Sequence, residues 1–216
     1  MFSRLAVFTV ALCSMLLVGM GPAHAAPAVL GGGSGIIIDG EFECTLTTIG
    51  HDNAGRLVGI TAGHCGNGGS QVVSESNQSA GTVGTFDYTN SDLDYAVITF
   101  NPSAVVPVNR IGNTTITGIG GPPQFGNIVC KQGRTTGSTC GLDYGDVFGA
   151  GTETYSQMCV IEGDSGSPVV NGTTLVAMVN AYLLVACLGP EVGTNIASII
   201  GDINARGGVG AGFRPI

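Results

Sequence analysis

Charge is what this chain has least of. Charged side chains make up 10% of its 216 residues, with 7 basic against 15 acidic and a formal net charge of −8. Such a surface repels phosphate backbones, which excludes nucleic acid as a natural partner. Histidine is nearly as scarce, with three in all. No two cysteines are spaced CxxC, so neither zinc nor dithiol redox chemistry has its usual ligands, and neither metal nor cofactor is expected. Beyond residues 1–25 no apolar run is long enough to cross a bilayer. The chain has no internal repeat, and only the GGGSG near its start is of low complexity.

Residues 1–25, MFSRLAVFTVALCSMLLVGMGPAHA, supply the one long apolar run, with Arg4 ahead of it and a small-x-small end at Ala23-His24-Ala25. This is the pattern of a secretory signal cleaved near Ala25–Ala26, not of a membrane anchor. It implies export to the medium, the periplasm or the cell wall. About 190 residues then remain, enough for one large domain or two small halves, expected to act as a monomer. Their histidines are His51 and His64. Their cysteines are Cys44, Cys65, Cys130, Cys140, Cys159 and Cys187, an even set in an exported chain and therefore a disulfide framework. Sequence alone leaves many connectivities open. Sequential pairing (44 with 65, 130 with 140, 159 with 187) closes three short loops and is preferred.

Short β-branched or alternating segments recur along the chain: CTLTTIG, LVGITA, QVVS, YAVITF, NIVCK and TLVAMVNAYLLVA, separated by Gly, Asn and Asp turns. Many short strands without intervening helices mark an all-β domain. One segment differs. In NIASIIGDINA, Ile196, Ile199, Ile200 and Ile203 fall at helical spacing, which predicts a single late helix. The tail RGGVGAGFRPI offers little to bury and is expected to be mobile.

Against this background IEGDSGSPVV, residues 161–170, raises a question of chemistry. Glycines on either side of Ser165 suggest a backbone too tight for larger residues, and they leave the hydroxyl uncrowded. A serine hydroxyl is a poor nucleophile without a base to take its proton. His51 sits in the polar turn HDNAG and reads as a surface residue. His64, in TAGHC, follows an apolar strand and precedes Cys65, whose disulfide would anchor its backbone. A carboxylate is needed to fix the imidazole and to stabilise its cation. In SDLDYAVITF, Asp94 opens the apolar run and can be carried inward, whereas Asp92 reads as a solvated turn residue. The order His64, Asp94, Ser165 is one of the known orders for such a triad.

With these motifs the chain resembles the chymotrypsin-fold serine proteases, in particular the secreted bacterial branch of the streptogrisins and alpha-lytic protease. TAGHC is similar to the family's histidine motif, Asp94-Tyr95-Ala96-Val97 to its aspartate motif and GDSGSP to its serine motif. Cys130 to Gly141, CKQGRTTGSTCG, resembles a further signature of the bacterial branch. The resemblance implies two six-stranded antiparallel β-barrels, expected at 27–114 and 115–216, the second carrying the helix and tail. It implies that His64 is the base, Asp94 its orienter, Ser165 the attacking group, and the backbone N–H groups of Gly163 and Ser165 the oxyanion hole. Asp164 would need a basic partner to order that loop. Lys131 is the choice, with Arg134 as the alternative.

The sequence departs from the family at the substrate pocket. In register with the family, Asn180 stands for a serine, and Ala181 and Tyr182 for glycines, so that Tyr182 narrows or plugs the pocket. Ser156, Gln157 and Met158, at the expected floor, bring no acidic residue. Glu162 reads as a solvated rim residue. Small or apolar residues are thus expected on the acyl side of the scissile bond (P1), not Lys or Arg, in a peptide or protein substrate. The competing expectation is a silent homologue that binds through an occluded cleft. An esterase of the α/β-hydrolase type fits poorly, since its order is Ser, Asp, His. The family is usually made with a long folding pro-region, whereas here the first motifs begin soon after the expected cleavage.

Overall fold

The structure, a computed structural model, describes residues 25–216. Residues 1–24 lie outside the described residues, and with them nearly all of the expected signal sequence, including Arg4, Cys13 and His24.

The N-terminal half is an eight-stranded sheet. Its order is Arg214–Pro215, Thr48–His51, Leu57–Ala62, Tyr95–Phe100, Thr82–Asn90, Gln71–Ser74, Gly35–Ile38 and Phe42–Thr45. Phe42–Thr45, at one end, and Thr48–His51, beside the tail strand at the other, are two parts of one segment. At the bend between them the Leu46 N–H donates to the Ser34 carbonyl at 2.8 Å and the Thr47 N–H to the Ile60 carbonyl at 2.8 Å. CTLTTIG is therefore a strand that turns a corner, and its two arms roll the sheet into a barrel. Leu46, Phe86, Ile98 and Phe100 belong to its buried apolar core. Gly59 and Gly84 make room there, since a Cβ at either would come within 2.6 or 2.7 Å of the Phe100 ring.

In the C-terminal half Thr174–Tyr182, Pro168–Asn171, Ile128–Gly133, Gly137–Gly145, Glu153–Ser156 and Glu191–Asn195 pair in that order, and the last pairs again with the first, closing a second barrel. Val129, Met158, Val160, Val169, Val176, Ala177 and Val179 form an apolar core. Unusually polar company shares the interior: Lys131, Asp143, Ser156 and Glu191 are all fully buried. The helix Ile196–Arg206 turns Ile196, Ile199 and Ile203 inward, as the spacing predicts, and stops at Gly207, whose φ of 72° a side chain rarely adopts. The architecture is the expected one, two antiparallel β-barrels with a short late helix.

Two local expectations are corrected. The tail is not left free: Arg214 and Pro215 pair with His51 and Gly50 on the first sheet, and Phe213 is buried against its core. One aromatic ring and one exposed strand edge suffice to dock it. The strand from Thr174 ends at Tyr182, because Leu184 and Cys187 adopt positive φ and the backbone turns toward the Cys159–Cys187 disulfide. Leu184, Val185 and Leu188 are left exposed at that corner. All three cysteine pairs are the sequential ones.

Candidate active site

The fully buried strand Leu57–Ala62 delivers a single tight turn, Gly63–Cys65, at the edge of the cleft between the barrels. Gly63 packs against the neighbouring strand so closely that a Cβ would lie 2.9 Å from the Tyr95 nitrogen, and Cys65 is tied to Cys44. His64 is held between these two constraints. Asp94 opens the next strand with a φ of 45°, a conformation uncommon for any residue with a side chain. That backbone turns its carboxylate back onto the histidine. Oδ1 accepts from the His64 backbone N–H at 2.8 Å, and Oδ2 lies 2.7 Å from Nδ1. The other ring nitrogen, Nε2, is 2.8 Å from Ser165 Oγ. A carboxylate can only accept, so Nδ1 carries the proton and Nε2 of the neutral ring accepts from the hydroxyl.

Electrostatics follow the geometry. The hydrogen bond to Asp94 raises the His64 pKa above its ordinary value against the opposing effect of burial. Burial pushes the Asp94 carboxyl up, but hydrogen bonds from His64 and Asn180 outweigh it and hold its pKa low. Asp92 stays in the turn, exposed, and His51 is exposed at a strand end.

Ser165 sits between Gly163 and Gly166, which have φ of 88° and 86°. A Cβ on Gly166 would strike the Thr45 carbonyl oxygen at 2.2 Å, and one on Gly163 would strike Thr135 Oγ1 at 2.4 Å. The Glu162 carbonyl accepts from Thr135 Oγ1 at 2.8 Å. In a trans peptide the N–H points away from the carbonyl, so this bond turns the Gly163 N–H away from Thr135. Among the described residues no carbonyl accepts from the N–H of Gly163 or Ser165.

Asp164, fully buried, braces the loop. Oδ1 accepts from the backbone N–H groups of Thr135 and Thr136, each at 3.1 Å, and Oδ2 accepts from Thr136 Oγ1 at 2.6 Å and from the Ile161 N–H at 3.2 Å. Lys131 Nζ lies 3.5 Å from Oδ2 and donates to Thr136 Oγ1 and the Gly137 carbonyl. Burial lowers the Lys131 pKa, and Asp164 opposes that shift. Arg134 is engaged elsewhere, with Glu75 and with Glu43 at 2.7 Å. Thr135 and Thr136, unnoticed in the sequence, thus hold the carboxylate more closely than the ammonium does. Their position one and two residues before Gly137 in the cysteine loop was the available signal.

The pocket residues need the most correction. Asn180 does not line the pocket with its side chain. Its Nδ2 donates to Asp94 Oδ2 and to the Asp94 carbonyl, both at 2.8 Å, while its Oδ1 accepts from the Thr194 N–H at 2.9 Å. An amide both donates and accepts, so one side chain ties the second barrel to the first at the carboxylate. Met158 is buried in the apolar core. Gln157 is held away, its Nε2 donating to the Leu188 carbonyl at 3.1 Å. The pocket wall instead comes from Val160 and Ile161. With Glu162, Ser165, Asn180, Ala181 and Tyr182 they surround a recess of about 390 Å³, so Tyr182 narrows it without plugging it. A larger cleft of about 620 Å³ lies on the other side of Ser165, lined by His64, the Cys44–Cys65 bridge, Glu43, Thr135 and Gly163 among others. Among the described residues no group of three or more His, Cys, Asp and Glu is arranged to hold a metal ion.

No protein-family model matches the chain. Streptogrisin-C of Streptomyces griseus is 28% identical over 153 residues, 66% of this chain and 33% of that protein. The chain therefore spans about a third of that relative's length. Among solved structures, a Nocardiopsis protease (NAPase) superposes with a TM-score of 0.69 at 23% identity, over 82% of this chain and 97% of its own. A chymotrypsin from Cellulomonas bogoriensis gives 0.66 at 24%, covering 87% and 98%. An alpha-lytic protease homologue, N4, gives 0.65 at 24%, covering 82% and 98%. The chain has a chymotrypsin-like fold, shared with these proteases, and its sequence is similar to Streptogrisin-C over 153 residues.

Proposed function

We propose that this chain is a secreted serine endopeptidase that hydrolyses peptide bonds through an acyl-enzyme. The reading rests on the unbroken line of contacts Ser165–His64–Asp94, at 2.8 and 2.7 Å, in a cleft open on both sides of the hydroxyl. His64 Nε2 takes the Ser165 proton as Oγ bonds to the substrate carbonyl carbon, and the carbonyl oxygen gains the negative charge. The N–H groups of Gly163 and Ser165 receive that charge; a donor of this kind is worth about 3–4 kcal/mol in the transition state. The imidazolium then gives its proton to the departing amine, and the C–N bond breaks. Water repeats the sequence with His64 as base, releasing the acid and restoring Oγ–H.

The finer parts belong to the same proposal. Val160, Ile161, Ala181 and Tyr182 at the mouth of the recess favour a small or apolar P1 residue. Lys and Arg are disfavoured near neutral pH, because Ser156, Gln157 and Met158 offer no carboxylate and the neighbouring Glu191 is enclosed. Three disulfides fit an exported protein acting as a monomer on peptide or protein substrates. The open recess weighs against the alternative of a silent binding homologue, which needs an occluded cleft. Rapid-mixing hydrolysis of an activated peptide ester tests the proposal. A burst of leaving group stoichiometric with enzyme, absent in Ser165→Ala, is expected. Equal turnover by the two proteins would refute it.

A further inference from the structure

The second barrel carries a carboxyl group that the proposed chemistry does not use. Glu191 is fully buried, its Oε1 accepts from Ser156 Oγ, and its Oε2 has no hydrogen-bond partner. A buried polar atom without a partner is costly and rare, so its placement calls for a reason.

Its neighbours supply one. Glu191 pairs directly with Tyr182 on one side and with Ser156 on the other. Residues directly opposed across antiparallel strands point to the same face, with Cβ atoms about 5 Å apart. Tyr182, Glu191 and Ser156 therefore form a row. Tyr182 lines the recess beside Ser165, and Ser156 is enclosed in the barrel. The row runs from the pocket wall inward, with the unpartnered oxygen one strand deeper than the residues that line the mouth. The sequence offered no acid at Ser156–Met158; the acid comes from the strand opposite.

We propose that Glu191 is the inner P1-selecting residue, whose Oε2 receives the cationic tip of a long P1 side chain such as Lys. The inference rests on the protease reading and deepens it. Short apolar side chains stop at the mouth formed by Val160, Ile161, Ala181 and Tyr182, while a long cationic one reaches the second determinant. Which class is favoured depends on the charge of Glu191. Burial pushes its pKa up to about 8, the hydrogen bond from Ser156 opposing. Among the groups facing it, Asp143 hinders its ionisation and Lys131 assists it, although that ammonium is already committed beside Asp164. Tyr182 and Ser156 flank it on the two neighbouring strands. The carboxyl is thus neutral through most of the neutral range and charged above it, where a lysine remains cationic.

The test compares kcat/KM for peptides differing only at P1, lysine against norleucine of similar length, at about pH 6.5 and about pH 9.5. A fluorophosphonate titration of Ser165 at each pH counts competent sites. The expected result is a lysine-to-norleucine ratio that rises roughly tenfold or more in the unaltered protein and stays flat in Glu191→Gln. A flat ratio with full titration overturns this inference and leaves the protease reading standing. A rise that persists in Glu191→Gln overturns it too, by assigning the effect to another group. Failure to titrate at either pH removes both.

Discussion

At the scale of single residues, the account turns on how few atoms surround the reacting hydroxyl. Ser165→Ala should lower kcat by about a millionfold while leaving the far-ultraviolet circular dichroism unchanged, because the residues of a triad act as one unit. Asn180 provides a finer test. Its amide supplies one of the donors on Asp94 Oδ2, and a hydrogen bond to a charged group contributes about 1.5–3 kcal/mol. Asn180→Ala should therefore reduce kcat by about ten- to a hundredfold with KM little changed. An effect on KM alone would mean that the Asn180 side chain acts on substrate binding instead. The raised His64 pKa places the acid limb of kcat/KM above pH 6.5 for the free enzyme. A pH profile with its limb below that value would contradict the Asp94 contact.

At the scale of elements, the three motifs were legible because each is short and local: a strand running into a turn, a residue opening a strand, a glycine-flanked serine. What was not legible came from elements distant in sequence. The pocket was read on the residues before Cys159 and on Asn180–Tyr182; the latter do line it, but Val160 and Ile161 stand where Gln157 and Met158 were expected, and the buried acid beside it comes from Glu191 on a third strand. Nothing local distinguishes a side chain that lines a cavity from one, like Asn180, that turns to the other barrel. The tail misled for a similar reason, since its glycines hide a strand edge that only the folded sheet can offer. The oxyanion loop is braced across elements as well. Thr136→Val would leave Asp164 Oδ2 and Lys131 Nζ each short of a buried partner, which costs about 1–3 kcal/mol. A lower urea midpoint with an unchanged m-value is expected, along with slower acylation of Ser165. An unchanged midpoint would mean that Lys131 and Asp164 suffice without the threonine.

At the scale of the whole molecule, the second barrel trades stability for a polar interior. Glu191 titrates near 8 when folded against 4.5 for an unburied glutamate, so the folded state holds its proton more tightly than the unfolded chain. The stability this group contributes is complete below about pH 4.5 and is lost as pH rises toward about 8. Asp94 works in the opposite sense, since its lowered pKa gives stability that disappears as pH falls. Thermal midpoints between about pH 5 and about pH 9 should therefore decline more steeply in the unaltered protein than in Glu191→Gln. Parallel curves would show that the carboxyl stays ionised in the fold. The central claim, however, is the activated serine. Its most direct measurement is mass spectrometry of the oxidised protein after exposure to a fluorophosphonate, with the adduct mapped by proteolysis. The account predicts a single phosphonyl group on Ser165, formed faster as pH rises through the His64 titration and absent in Ser165→Ala. A folded, disulfide-bonded protein that stays unlabelled, or one labelled at another residue, would contradict it.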